Sequence, residues 1–225
     1  MDRVYSVAID GPSGAGKSTL AKECAKRFGF LYVDTGAIYR TVGLAAKRAG
    51  IPPESAADVL PLLPTLEIDL RHAEDGQHMF LFNEDVNSLI RTPEVSAYAS
   101  KVSAIAEVRS FLMEMQRSLA RKNSVIMDGR DIGTVVLPNA DIKVFLTASA
   151  EARAKRRLLE LEEKGQSFSF EEILRDMQER DERDTQRAAA PLKAADDALL
   201  MDTTALSLEE SIAALCAVIE KVVKP

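Results

Sequence analysis

The run IDGPSGAGKST, residues 9–19, constrains what this chain can fold into more than any other stretch. An apolar segment, VYSVAID at 4–10, leads into a glycine-rich loop, and the helix-like segment KSTLAKECAKRF follows it. Gly11, Gly16, Lys17 and Ser18 fit the spacing G-x-x-x-x-G-K-[ST] in full. Glycines at these points let successive backbone N–H groups turn inward, with a helix N-terminus behind them, so the segment predicts a cradle for a polyphosphate. Gly11, Pro12, Ser13, Gly14, Ala15 and Gly16 line that cradle, with Lys17, Ser18 and Thr19 opening the helix. Lys17 is expected to reach the outer phosphates and the Ser18 hydroxyl to bind Mg²⁺. A nucleoside triphosphate with magnesium is the predicted ligand.

Further apolar runs of strand length recur between longer segments of helical period: FLYVD at 30–34, SVIMD at 124–128, IKVFL at 142–146 and ALLMD at 198–202. Alternation of this kind predicts a three-layer P-loop α/β fold, a five-stranded parallel sheet covered by helices on both faces. Four of the five runs end in aspartate, and the carboxyl ends of parallel strands border the ligand crevice in such folds.

One segment breaks the rhythm. In TLEIDLRHAEDGQHMFLFNEDV, residues 65–86, Leu66, Ile68 and Leu70 alternate with Glu67, Asp69 and Arg71, and EDGQ offers a turn before HMFLF. This predicts a small antiparallel hairpin inserted at about 64–88, with His72 and His78 as strand residues flanking its turn. The chain is thus read as one P-loop domain, with an acceptor-binding part at about 36–105 and a helical lid at about 150–185. The C-terminal SLEESIAALCAVIEKVV carries a capping serine, Ser207, with Glu210 three residues later, and predicts a packing helix.

A net charge of −6 argues against a nucleic-acid or anionic-membrane binder, so any bound anion must meet a local cluster of cations. Cys24 and Cys216 match no metal spacing and read as buried thiols of a reducing cytoplasm. No segment reads as a membrane span or a targeting leader, and a cytoplasmic monomer is the expectation. A guanine-reading Asn/Thr-Lys-x-Asp is absent, which disfavours a GTPase switch.

The cations gather at the predicted strand ends. DTGAIYR, residues 34–40, places Thr35 and Gly36 in a turn and Arg40 about one helical turn beyond, aimed back toward the crevice. DGRDIGT, residues 128–134, brackets Arg130 and Asp131 between glycines. Downstream, Arg180, Asp184 and Arg187 follow i, i+4, i+7 spacing and share one helical stripe. Arg153, Arg156 and Arg157 precede them in a segment that reads as a mobile cover, with Gly165 near a hinge. So many arginines suit a phosphorylated acceptor, since a triphosphate and a monophosphate bring roughly five or six negative charges together. Such an acceptor is already ionised and needs no general base. A kinase of a shikimate-like alcohol, with Asp34 as base, stays open at this level. So do a kinase of AMP or UMP and a nucleotide-dependent switch.

Taken together, IDGPSGAGKST, DTGAIYR, IRTPEVSAYAS, DGRDIGT and ERDERDTQRAAAPL resemble, in order and over nearly the whole chain, the bacterial cytidylate kinases. The resemblance implies ATP as co-substrate and CMP or dCMP as acceptor, with cytosine read by Thr35, Arg109 and Asp131. It also implies an acceptor phosphate held by Arg40, Arg130 and Arg187, and a sugar met by Ser100, Arg180 and Asp184. Family members often carry serine where Thr35 stands. Lys17, Arg130, Arg187 and Arg157 are expected to act on the transferred phosphate and Arg156 at the ATP end. Asp34 and Asp128 are candidates for holding the water shell of the metal.

Overall fold

The structure, a computed structural model, describes residues 3–73, 76–163 and 165–223. The chain divides into two compact units: Met1–Leu31 with Asn123–Pro225, and Tyr32–Lys122.

The first unit carries β1 (Ser6–Asp10) and α1 (Lys17–Phe28), and β2 (Leu31–Asp34) begins in it and runs into the second. The second unit continues with α2 (Thr35–Arg48), α3 (Ala56–Leu62), β3 (Ile68–Ala73), β4 (Gly76–Leu81), β5 (Glu84–Asp85), α4 (Pro93–Val102) and α5 (Ala106–Lys122). The chain returns to the first unit with β6 (Val125–Gly129), β7 (Ile142–Thr147), α6 (Ala150–Glu163), α7 (Phe170–Gln186), β8 (Leu199–Asp202) and α8 (Leu208–Glu220).

The five predicted strands form a five-stranded parallel sheet in the order β2-β6-β1-β7-β8. β1 pairs with β6 from Ser6–Val125 to Asp10–Gly129 and with β7 from Val7–Ile142 to Asp10–Phe145. Val7, Ala8, Ile9, Val125, Ile126 and Met127 are wholly buried, which is why these central strands read as unbroken apolar runs. β8 closes one end of the sheet and leaves Leu199 and Leu200 exposed. The Ser207 capping box forms at α8 as predicted. Cys24 and Cys216 are buried as expected, and their sulfurs lie 3.1 Å apart. α6 and α7 pair around Ala154, Leu161, Ile173 and Met177, so the predicted lid has a small apolar core of its own.

In the second unit, α2 and α4 cross closely. A Cβ at Gly43 would stand 2.9 Å from the Ala99 amide nitrogen, so only glycine permits this approach. The insert forms between α3 and α4, and it is larger than a hairpin. β3 and β4 pair antiparallel from Ile68–Leu81 to Ala73–Gly76, and β5 adds a third strand. Of the predicted turn EDGQ, Glu74 and Asp75 lie outside the described residues, while Gly76 and Gln77 already belong to β4. Thr35 and Gly36 likewise depart from expectation: they form the first turn of α2, because the Asp34 side chain accepts the Ala37 N–H and starts the helix at once.

Candidate active site

The first unit holds the predicted phosphate cradle. A Cβ on Gly11 would lie 1.9 Å from the Leu146 carbonyl oxygen, so the loop can leave β1 at this point only through glycine. The helices α2, α4, α7 and α8 are each capped by a side chain, from Asp34, Thr92, Ser169 and Ser207. The N-cap of α1 is Gly16, with no side-chain cap, which leaves the first-turn amides of this helix for an anion.

Lys17 is 5% exposed, and its Nζ donates to the Pro12 carbonyl at 2.7 Å. Burial, reinforced by the nearby Arg130 charge, pushes the lysine down to about 7. Ser18 Oγ donates to Asp128 Oδ2 at 2.9 Å at the end of β6. The remaining loop residues stand where the motif puts them: Pro12, Ser13, Gly14 and Ala15 between β1 and α1, and Thr19 exposed in its first turn.

Two arginines grip the loop at Ser13. Arg153, read only as one of several lid cations, is buried; it donates to the Ser13 carbonyl at 2.9 Å, to the Ala148 carbonyl at 2.9 Å and to Asp181 at 2.6 Å. Arg180 Nη1 donates to Ser13 Oγ at 3.2 Å. The paired helices α6 and α7 are therefore docked on the cradle. Arg156 donates to the carbonyl and hydroxyl of Thr203 at 2.6 and 3.2 Å, and Arg157 pairs with Glu160 at 2.9 Å.

Beside the cradle lies a buried cluster of charge. Arg130 Nε donates to Asp184 Oδ2 at 2.8 Å. Arg187 stands 3.8 Å from Asp131 and 4.0 Å from Asp184, and its Nε donates to the Ala190 carbonyl at 2.7 Å. Burial alone would raise the Asp184 carboxyl, but Arg130, Arg180 and Arg187 together hold it below the usual carboxylate range. Arg180 and Asp184 lie on α7 while Arg187 stands just past its end as the C-cap, outside the helical stripe, and the three come together with Arg130 and Asp131.

Sequence reasoning missed Asp10 as a site residue, although it noticed that the strands end in aspartate. The Asp10 carboxylate is buried and accepts the Ile132 and Gly133 N–H groups, both at 2.7 Å, which holds the loop carrying Arg130 and Asp131. Burial pushes Asp10 up to about 6 despite those two bonds. Ile132 and Gly133, the same two residues, open a single π-type turn over Ile132–Val136.

The second unit holds the remaining candidates. Asp34, considered as a base or a magnesium partner, is engaged through both oxygens: Oδ1 accepts the Ala37 N–H at 2.9 Å and Oδ2 accepts Arg40 Nη2 at 2.8 Å. Burial raises its carboxyl, but Arg40, the Ala37 N–H and Arg91 outweigh that and keep it below the usual range. A carboxylate so held is a poor proton acceptor, which counts against the alcohol-kinase reading. Arg40 points back toward the end of β2, where its guanidinium meets Asp34. Thr35 is buried in the first turn of α2. Arg109, on α5, donates to the Ser103 carbonyl at 3.1 Å, and its guanidinium carbon stands 5.2 Å from the centroid of the Tyr39 ring. Ser100 Oγ is shielded from solvent and has no hydrogen-bond partner among the described residues, as suits a hydroxyl kept for a ligand. His72 and His78 are strand residues as expected, and among the described residues no group of three or more His, Cys, Asp or Glu could hold a metal ion. No helix of the described residues is long and apolar enough to cross a membrane.

A parallel sheet with a glycine loop on its central strand, an uncapped helix behind that loop, a buried lysine and a serine bonded to a strand-end aspartate places the protein among the P-loop nucleotide-binding proteins. The sequence matches the cytidylate kinase family over residues 7–221. It is 48% identical over 219 residues to a cytidylate kinase of Caldicellulosiruptor bescii, covering 97% of each chain. Against cytidylate kinases of Carboxydothermus hydrogenoformans and Geobacter sulfurreducens it is 49% and 51% identical, covering 95% and 91% of this chain and 96% and 88% of theirs. The chain belongs to the cytidylate kinase family.

Proposed function

We propose that the protein transfers the γ-phosphoryl group of ATP to CMP or dCMP, releasing ADP and CDP or dCDP. The observation that carries this reading is the pairing of the half-buried Arg130 and Arg187 with the buried Asp131 and Asp184 in the same unit as the phosphate cradle. A phosphorylated acceptor adds negative charge beside the triphosphate, and shielded guanidinium groups match that charge and the geometry of its oxygens.

The loop amides and Lys17 bind the β- and γ-phosphates, and Arg130 and Arg187 neutralise the charge that builds up as an acceptor phosphate oxygen attacks the γ-phosphorus and ADP leaves. Arg157 of the docked lid would add charge at the transferred group, and Arg156 would serve the ATP end. The hydroxyl of Ser18 and the carboxylate of Asp128 are hard oxygen donors 2.9 Å apart, a fit for Mg²⁺ with Ser18 as direct ligand and Asp128 acting through water. Bound there, the ion would neutralise charge on the β- and γ-phosphates.

From the unit Tyr32–Lys122, Arg40 would bind the acceptor phosphate, Ser100 the sugar, and Thr35 and Arg109 the base. From the other unit, Arg180 and Asp184 would serve the sugar and Asp131 the base. Cytosine offers acceptors at N3 and O2 to Arg109 and an amino donor at N4 to Asp131; uracil reverses part of that pattern.

A coupled ADP-release assay with Mg-ATP and a panel of CMP, dCMP, UMP, AMP, GMP and shikimate tests the assignment. The cytidine nucleotides should lead; AMP or shikimate outperforming both would overturn it. Asp131→Asn keeps the side chain's size but offers uracil a donor, so the ratio of kcat/KM for CMP over UMP should fall about tenfold. KM for ATP should move little. An unchanged ratio would remove Asp131 from base reading.

A further inference from the structure

β2 is an end strand of the parallel sheet, so among the described residues one of its edges has no neighbouring strand. The Leu31 N–H donates to the Ser124 carbonyl at 2.8 Å, which sets the phase of the strand. Residues two apart present their N–H and C=O to the same edge, so Leu31 and Val33 face inward to the sheet, and Tyr32 and Asp34 present theirs to the open edge.

The side chains of the insert meet that open edge. Gln77 Oε1 accepts the Asp34 N–H at 2.8 Å and Gln77 Nε2 donates to the Asp34 carbonyl at 3.2 Å. One amide thereby reproduces the paired bonds that a neighbouring strand would make. His72 Nε2 bonds to the Tyr32 carbonyl at 3.0 Å, one pleat earlier on the same edge. In β4 the inward positions are Gln77, Met79 and Leu81, so Gln77 is the polar exception on a buried apolar face. The partner that compensates its burial is the backbone of Asp34.

Asp34 is in turn the N-cap of α2 and the ion partner of Arg40, with Thr35 next in the chain. We propose that the insert is a side-chain substitute for a sixth strand, and that Gln77, assisted by His72, is a positioning residue. It fixes the backbone of Asp34 and so the aim of Thr35 and Arg40 toward the acceptor nucleotide. This rests on the CMP-kinase reading given above.

The test is steady-state kinetics of Gln77→Leu and His72→Ala beside the wild type, varying CMP and ATP separately. Leucine matches the bulk of glutamine but leaves the Asp34 N–H and C=O unpaired. Gln77→Leu should raise KM for CMP about tenfold, equivalent to ~1.4 kcal/mol, with KM for ATP and kcat within about twofold of wild type. His72→Ala removes one bond at an exposed position and should raise KM for CMP about two- to threefold. Amide exchange at Asp34 should quicken in Gln77→Leu. A KM for CMP unchanged in both variants, or rising in step with KM for ATP, would overturn the proposal. Should Gln77→Leu fail to fold, His72→Ala decides by the same criterion. A wild-type enzyme idle on CMP would count against the function itself, independently of the role of Gln77.

Discussion

Lys17→Met should lower kcat by about a thousandfold, the scale seen when one preorganised charge at a transferring group is lost, while leaving the unliganded protein at least as stable as before. The two signs come from one fact. The Lys17 ammonium is buried, and burial together with Arg130 pulls it from 10.5 to about 7, so the folded chain favours its neutral form. Below about pH 7 the fold therefore carries the full cost of this charge, and that cost fades as the pH rises toward the lysine's ordinary value. Methionine has nearly the same length and no charge, so it fills the site and removes the cost. Catalysis loses the cation that should meet the γ-phosphate. A merely structural lysine would behave in the opposite way, with activity falling only as far as the fold is damaged. Thermal melts and initial rates on the same preparations separate the two. Near-normal kcat, or a loss of activity matched by a lower melting temperature, would remove Lys17 from the chemistry.

The strands and the cradle were legible because their signals are local. Each central strand is buried on both faces, so VAI in β1 and VIM in β6 form apolar runs that need no partner to be recognised. The glycine loop is likewise a matter of spacing. Most of the departures involve partners distant in sequence or elements too short to show a period. β5 spans two residues, Glu84 and Asp85, and such a length carries no alternation to detect. Thr35 and Gly36 read as a turn because of the glycine, although Asp34, which accepts the Ala37 N–H three residues on, is itself a local N-cap signal. Asp10, Arg153 and Gln77 share a single cause. Each is a buried polar residue satisfied mainly by backbone groups: Asp10 by Ile132 and Gly133, Arg153 by Ser13 and Ala148, Gln77 by Asp34. Backbone partners leave no mark in composition or charge pattern. The strand-end aspartates make the same point, because four identical residues in four similar contexts do four different things. Asp10 holds a loop, Asp34 caps a helix, Asp128 accepts from Ser18, and Asp202 accepts from Thr204 in an exposed turn.

Asp184→Ala should produce the largest loss of stability among the site residues, about 3–5 kcal/mol or a melting temperature lower by roughly 10 °C for a chain of this size. The carboxylate is buried, 2.8 Å from Arg130 and 4.0 Å from Arg187, with Arg180 also acting on it. Removing it leaves Arg130 desolvated without its ion partner and the three cations repelling one another. The double variant Asp184→Ala with Arg130→Met should melt above the single Asp184→Ala variant, because it removes an uncompensated buried charge. Acid provides an independent check. The Asp184 carboxyl is held below its ordinary range, so its contribution is present above about pH 4 and is lost as the pH falls through the depressed value. The stability gap between wild type and Asp184→Asn should therefore hold at neutral pH and narrow below about pH 4. A single variant melting with the wild type, or a double variant melting below the single, would mean that the arginines do not depend on this carboxylate. They would then have to be stable as a bare cationic cluster, which burial in a low-dielectric interior makes costly unless an anion is supplied. In the resting protein Asp184 is that anion, and during turnover the acceptor phosphate would take over part of its role.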